Sequence, residues 1–394
     1  MKVLILLLAL AFYLLVPALV VKLCRKVSFF GKVGAILTLY SLGVLVANLF
    51  IFRIPGLGER IYPLQDTLSS LTIPLAIPMI LFACDFRRWP AGKALVSLLI
   101  GLVSVVVVSA LGYLLFRHHL GAQGSAIAGM AVGVYTGGTP NLAAIKMMLD
   151  VDEQTYVMMN TFDMVVSFLY LVFLLSVGIR LVRGFLPPYS ERPLQPGAET
   201  EPSAHVMAQG EGEMYRDLFT KAHFLPTLCA FGLSLLIVAM SLGLSFLITG
   251  QVNMIVLILS LTTFALAASF IPAVRRWSKS YDAGMYLVLI FSLVVSSMVD
   301  LGSVDWQAGL YLLLYIAFVI FLSLGLQLLL GRLLKVDADT TVITSVAMIN
   351  SPLFVPMIAD AMKNRRIILT GISVGIIGYA VGNYLGVLIA QLLG

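Results

Sequence analysis

Long apolar runs recur along this sequence and leave few options for what it can fold into. Twelve apolar segments can be marked, at 3–21, 33–52, 66–84, 94–116, 124–149, 155–180, 224–249, 252–273, 283–299, 307–331, 340–362 and 367–392. A helix crosses the hydrocarbon of a bilayer with about 20 mostly apolar residues, so runs of this length predict membrane-spanning helices. A water-soluble chain of 394 residues has no way to bury a composition that is 60% hydrophobic and 11% charged. The alternation of a membrane-spanning strand is missing, which argues against an outer-membrane barrel. The expected fold is therefore an all-α polytopic membrane protein. The first segment, Val3 to Val21, runs longer than a typical signal-peptide core, lacks an A-x-A site and ends at Lys22, Arg25 and Lys26. It reads as a membrane helix with a stop-transfer flank.

Several function classes find no support. Cys24, Cys84 and Cys229 have no metal-ligand spacing, and the four histidines form no HExxH-like pattern. No metal site, cofactor or catalytic residue is expected, and no Ser/His/Asp constellation suggests an enzyme. No GxxxxGK[ST] loop points to an ATP motor. The net charge of +6 lies mostly in loops, with no basic run interleaved with aromatics, so it reads as a topology signal and nucleic acid is not an expected partner.

Two segments are interrupted. Within 124–149 stands Val134–Tyr135–Thr136–Gly137–Gly138–Thr139–Pro140–Asn141, and within 340–362 stands Ala347–Met348–Ile349–Asn350–Ser351–Pro352. In a helix interior glycine costs about 1 kcal/mol and proline about 3 kcal/mol relative to alanine. Irregular backbone at membrane depth survives where protein buries it or where it lines a cavity. Paired interrupted segments in corresponding halves of a chain point to a transporter's binding site.

The chain divides accordingly. A polar stretch with Pro187, Pro188, Pro193, Pro196 and Pro202 predicts a flexible cytoplasmic linker over 183–222, between a first repeat at 1–182 and a second at 223–394. The halves echo each other: Asp85 with Trp89–Pro90–Ala91–Gly92 in one, Asp300 with Trp306–Gln307–Ala308–Gly309 in the other. Charge then tests topology. If all twelve segments cross, with the N-terminus outside, the 25 lysines and arginines divide 11 inside and 14 outside. If 124–149 and 340–362 instead return to the face they entered, 20 of the 25 lie inside, leaving Lys2, Arg53, Arg60, Arg117 and Lys146 outside. The positive-inside rule favours the re-entrant arrangement. Each half then has five crossings, an odd number, so the two repeats are inverted. The expected location is the inner (plasma) membrane, multi-pass, with both termini outside.

The chemistry is expected at three places. Asp163 is an acidic residue deep in 155–180, with Asn160 and Ser167 on its helix face; an intramembrane carboxylate reads as a cation or proton site, the alternative being a polar clasp between helices. Thr136, Gly137, Gly138, Thr139 and Asn141 at the first break, and Asn350 and Ser351 at the second, are candidate substrate contacts. Broken helices expose N–H groups that attract carboxylates and carbonyls that suit sodium; a plain proline kink is the alternative. Gly371, Gly375, Gly378, Gly382 and Gly386 in the last segment form a ladder that reads as tight helix packing.

With these residues in view, the chain resembles the YjcL-like family of bacterial membrane proteins, a domain-of-unknown-function family. The resemblance rests on Thr136–Asn141, on Asn350–Ser351–Pro352 and on the closing Gly378–Tyr379–Ala380–Val381–Gly382–Asn383–Tyr384–Leu385–Gly386. More distantly, the layout is similar to sodium–glutamate symporters and 2-hydroxycarboxylate transporters. That similarity implies inverted five-helix repeats with re-entrant loops, a homodimer, an elevator-type movement, and substrate and ion contacts at 136–141 and 349–352. Here Asn350–Ser351–Pro352 stands where those proteins carry glycines.

The expected function is ion-coupled secondary transport of a small organic anion, such as a carboxylate or amino acid, with Na+ or H+ as coupling ion and the lipid bilayer as surroundings. Two alternatives are a cation/proton antiporter and a non-transporting membrane receptor or scaffold using 183–222 as a docking segment.

Overall fold

The computed structural model describes residues 2–27, 30, 34–82, 92–189, 221–277, 279–300, 302 and 306–394. All regular structure among them is helical. The first half holds α1 (Lys2–Lys26), α2 (Ala35–Val46, continued by a π-helical turn at Ala47–Ile51), α3 (Leu57–Phe82), α4 (Lys93–Phe116), α5 (Gly124–Met148) and α6 (Glu153–Phe173). A π-helical turn at Leu174–Gly178 carries α6 into α7 (Ile179–Phe185). The second half holds α8 (Lys221–Thr249), α9 (Met254–Ser269), the short α10 (Pro272–Arg275), α11 (Ser280–Ser296), α12 (Trp306–Leu333), α13 (Ala338–Ile349), α14 (Val355–Ala361) and α15 (Ile368–Leu393).

In its described residues, each of the twelve apolar segments is thus mainly helical. Their ends differ where hydropathy marks the apolar stretch and the backbone helix continues beyond it. The third segment, expected from 66, begins at Leu57 because the polar turn Glu59–Arg60 is already helical. Among the described residues seven helices are long and apolar enough to cross a bilayer, and four shorter apolar helices accompany them. The protein is a polytopic helical membrane protein. Residues 183–189, at the start of the expected linker, are helical to Phe185, and Leu186 leaves the helix with extended backbone. The rest of that linker to residue 220, and residues 85–91 of the first Asp–Trp echo, lie outside the described residues.

The helices sort into two compact units, and each draws on both halves of the sequence. The first comprises residues 1–83, 146–161 and 211–307. Its core joins Tyr13 and Val20 of α1, Leu39 of α2, Ile61 of α3, and Leu289 and Leu293 of α11. A polar knot sits within this apolar packing. The Tyr13 hydroxyl and Ser297 Oγ are 2.8 Å apart, and Gln65 Nε2 donates to both at 2.9 Å. Buried polar groups are tolerated when they satisfy one another in this way. Asn253 caps α9, its side-chain oxygen accepting from the N–H groups of Ile255 and Val256. In α1 and α8 only 22% of the apolar window is buried, so these helices offer leucine-rich faces to lipid.

The second unit comprises residues 84–145, 162–210 and 308–394. Its central element is α15, whose apolar window is 72% buried. The glycines of α15 let two other elements approach its backbone. Gly375 lies against Pro352 and the Ala347 carbonyl, while Gly378 lies against the Thr136 carbonyl. Small residues at a helix interface permit this backbone contact. Both interrupted segments therefore seat on one helix.

Candidate functional site

The first interruption is a single residue wide. Within α5 only Gly138 leaves helical geometry, with φ 69° and ψ −167°, a region that side chains other than glycine's hardly ever occupy. Pro140 removes the N–H that would bond the Thr136 carbonyl. That freed carbonyl is turned onto α15, where it fills the space that a Cβ on Gly378 would need. The Asn141 amide donates to the carbonyls of Gly378 (3.4 Å) and Tyr379 (3.2 Å). The Thr136 hydroxyl back-bonds to the Val132 carbonyl at 2.7 Å. Three of the polar groups expected to meet a substrate thus hold the break in place. Gly138 and Thr139 keep partial exposure, whereas Thr136, Gly137 and Asn141 are buried.

The second interruption ends α13. Asp337 caps its first turn by accepting from the Thr340 N–H at 2.8 Å. The helix stops at Ile349, Ser351 takes a φ of 151°, and Pro352–Phe354 forms a 3-10 turn leading into α14. The residue before a proline is steered out of helical conformation. Asn350 and Ser351 are partly exposed. Gly375 and Gly378, the seats of the two breaks, are three residues apart, about 4.5 Å along the helix axis.

Asp163 stands between them on α6. It is buried, 7% exposed, and its Oδ1 accepts from Ser167 Oγ at 3.2 Å. The Tyr135 hydroxyl, at the end of the first half of α5, lies against the same carboxyl. The Asn350 amide donates to the Ser167 carbonyl at 3.0 Å, and Tyr170 shares a 2.8 Å hydrogen bond with Ser345 of α13. The turn of α6 that carries the carboxyl is therefore bonded to the second break and flanked by the first. Among the described residues no lysine, arginine or histidine pairs with Asp163, and no cluster of three metal-ligating side chains occurs. Burying an ionised group without a counter-charge is expensive, so such a carboxyl is found where a proton or cation supplies the compensation.

Residues 6–394 match the family described as a protein of unknown function, DUF819. The chain belongs to that family. It is 24% identical over 348 residues to the uncharacterized membrane protein YjcL of Bacillus subtilis (strain 168), covering 87% of each chain. Together with its apolar helices, this likeness makes the DUF819 chain a multi-pass membrane protein.

Of the residues singled out in the sequence, Asp163 and Ser167 meet, Asn350 reaches the same turn of α6, and Thr136, Gly137, Gly138 and Asn141 gather against α15. Asn160, one turn before Asp163, is buried and falls among the residues of the first unit. Sequence reasoning missed Tyr135. The available signal was a tyrosine inside an apolar segment, whose hydroxyl calls for a partner there. It also missed Arg183 and Asp339. Arg183 Nε and Nη2 bind the two carboxylate oxygens of Asp339 at 2.9 and 3.0 Å, and Nη2 also donates to the Met362 carbonyl at 2.7 Å.

Proposed function

We propose that this DUF819 protein is an ion-coupled secondary transporter of a small organic anion, a carboxylate or amino acid, working by alternating access. In this reading the coupling ion, Na+ or H+, binds at Asp163 with Ser167 beside it, and the substrate carboxylate meets the partly exposed backbone around Gly138, Thr139, Asn350 and Ser351. The observation that carries it is the convergence in one unit of two broken segments, seated a turn apart on α15, with a buried carboxyl that has no basic partner among the described residues. Helix ends at a break carry partial charges that suit ions and carboxylates. The ion must bind one conformational state better than the other for coupling to arise. Re-entrant segments, inverted repeats and a homodimer belong to the same reading.

A cation/proton antiporter is the second reading. It is favoured by the engagement of the Thr136 carbonyl and the Asn141 amide with α15, which leaves fewer groups free for an organic anion. Uptake of a panel of radiolabelled small acids and amino acids into proteoliposomes, with and without imposed sodium or proton gradients, separates the two. Gradient-driven accumulation that disappears in Asp163→Ala supports the first. Gradient-driven ion exchange with no organic solute supports the second, and full transport in Asp163→Ala removes the carboxyl from both.

A further inference from the structure

Tyr135 is where the second unit departs most from good packing chemistry. Its ring is completely buried, and its hydroxyl lies against the Asp163 carboxyl without making a hydrogen bond of good geometry to any group. A hydroxyl in that position is a burden, because a buried polar atom loses its bonds to water and gains nothing in return, whereas phenylalanine would fill nearly the same space without that loss. Other buried tyrosines of the unit are satisfied: Tyr170 by Ser345 at 2.8 Å, and Tyr315 by the Ser109 carbonyl at 3.2 Å. The groups facing the Tyr135 hydroxyl are the Asp163 carboxyl on α6 and the phenol of Tyr315 on α12. Tyr135 also stands three residues before Gly138, the one non-helical joint of α5.

We propose that Tyr135 is a ligand-side partner of Asp163 whose hydroxyl completes the ion site. A phenol hydroxyl both donates and accepts. It offers a lone pair to a sodium ion, or to the proton of a neutral Asp163, when the site is loaded. Its hydroxyl, poorly matched beside the empty site, is therefore matched when the site is loaded. This inference rests on the reading of Asp163 as the ion site, and it adds a residue from the first broken segment to that site.

The test is the thermal stability of the purified full chain in detergent, titrated with sodium at constant ionic strength and, separately, with pH. Wild type is expected to gain stability with sodium or with acid, and Asp163→Asn to lose that response. Tyr135→Phe is expected to melt no lower than wild type in the empty state but to need about tenfold more of the ion for half its stabilisation. Tyr170→Phe, which breaks a satisfied hydrogen bond, is expected to melt lower with an unchanged ion response; this separates a structural tyrosine from one that serves the ion. A wild-type ion response in Tyr135→Phe, with the response lost in Asp163→Asn, overturns this inference alone. A wild type with no response, or a response retained in Asp163→Asn, overturns the ion site as well. If Tyr135→Phe fails to fold, 3-fluorotyrosine at position 135 decides: its fluorine resonance is expected to shift with the ion, and an unmoved resonance overturns the proposal.

Discussion

Arg183 and Asp339 make an unequal pair, and removing either partner is predicted to have unequal consequences. The Asp339 side chain is 6% exposed, that of Arg183 42%. Arg183 binds both carboxylate oxygens and the Met362 carbonyl, and Asn364 Nδ2 donates to Asp339 Oδ2 at 2.9 Å. One guanidinium thus ties the start of α13 to the loop that follows α14. Arg183→Gln leaves a buried carboxylate. Stripping a buried charge of its partner costs about 3–5 kcal/mol. Here the Asn364 amide and the N-terminal end of α13, the latter worth about 0.3–1 kcal/mol, offset part of that, so about 2–3 kcal/mol is expected. Asp339→Asn leaves a guanidinium already near water and still bonded to Met362, with a loss of about 1 kcal/mol, the net value of an ordinary hydrogen bond. In the double mutant no buried charge is orphaned, so it is expected to be more stable than Arg183→Gln alone. Melting of the four proteins in one detergent gives the order wild type, Asp339→Asn, double mutant, Arg183→Gln, from most to least stable. Equal losses in the two single mutants, or a double mutant that shows their sum, would refute the reasoning.

Two further substitutions test the packing. Gly378→Ala drives a methyl into the backbone carbonyl of Thr136, so α15 and the first break must separate; a loss of about 1–3 kcal/mol is expected. Gly325→Ala on α12 meets open space within 4 Å and is expected to leave melting unchanged or slightly raised. Asn253→Ala removes the side-chain acceptor from the first turn of α9 and is expected to cost about 1 kcal/mol in the same assay, with Asn253→Asp retaining most of the stability.

Much of the architecture was legible because the forces behind it are local. Apolar length marks a membrane helix, and twelve such lengths gave twelve helical segments. The breaks were legible because Gly138, Pro140 and Pro352 act on their own backbone, whatever surrounds them. Asp163 showed itself by rarity alone. Pairings across long separations were not legible. Arg183 and Asp339 are 156 residues apart, and nothing in a linker-like context marks an arginine as bidentately bound. The Asn141 amide looked like a substrate ligand because its residue type suits one; only the approach of the Gly378 and Tyr379 carbonyls shows that it holds the last helix. The glycine ladder was read as packing, but what packs there, both breaks, depends on a topology in which each compact unit takes helices from both halves of the chain.

The proposed inverted repeats depend most on the broken segment 124–149 returning to the face of the membrane it entered. In a cysteine-free background, Arg117→Cys and Asp152→Cys flank that segment. Labelling of sealed, oriented vesicles with a membrane-impermeant maleimide is predicted to reach both from the same, outer face. Labelling of the two from opposite faces would contradict it, making α5 a through-crossing and reversing the inside-outside assignment of every residue that follows.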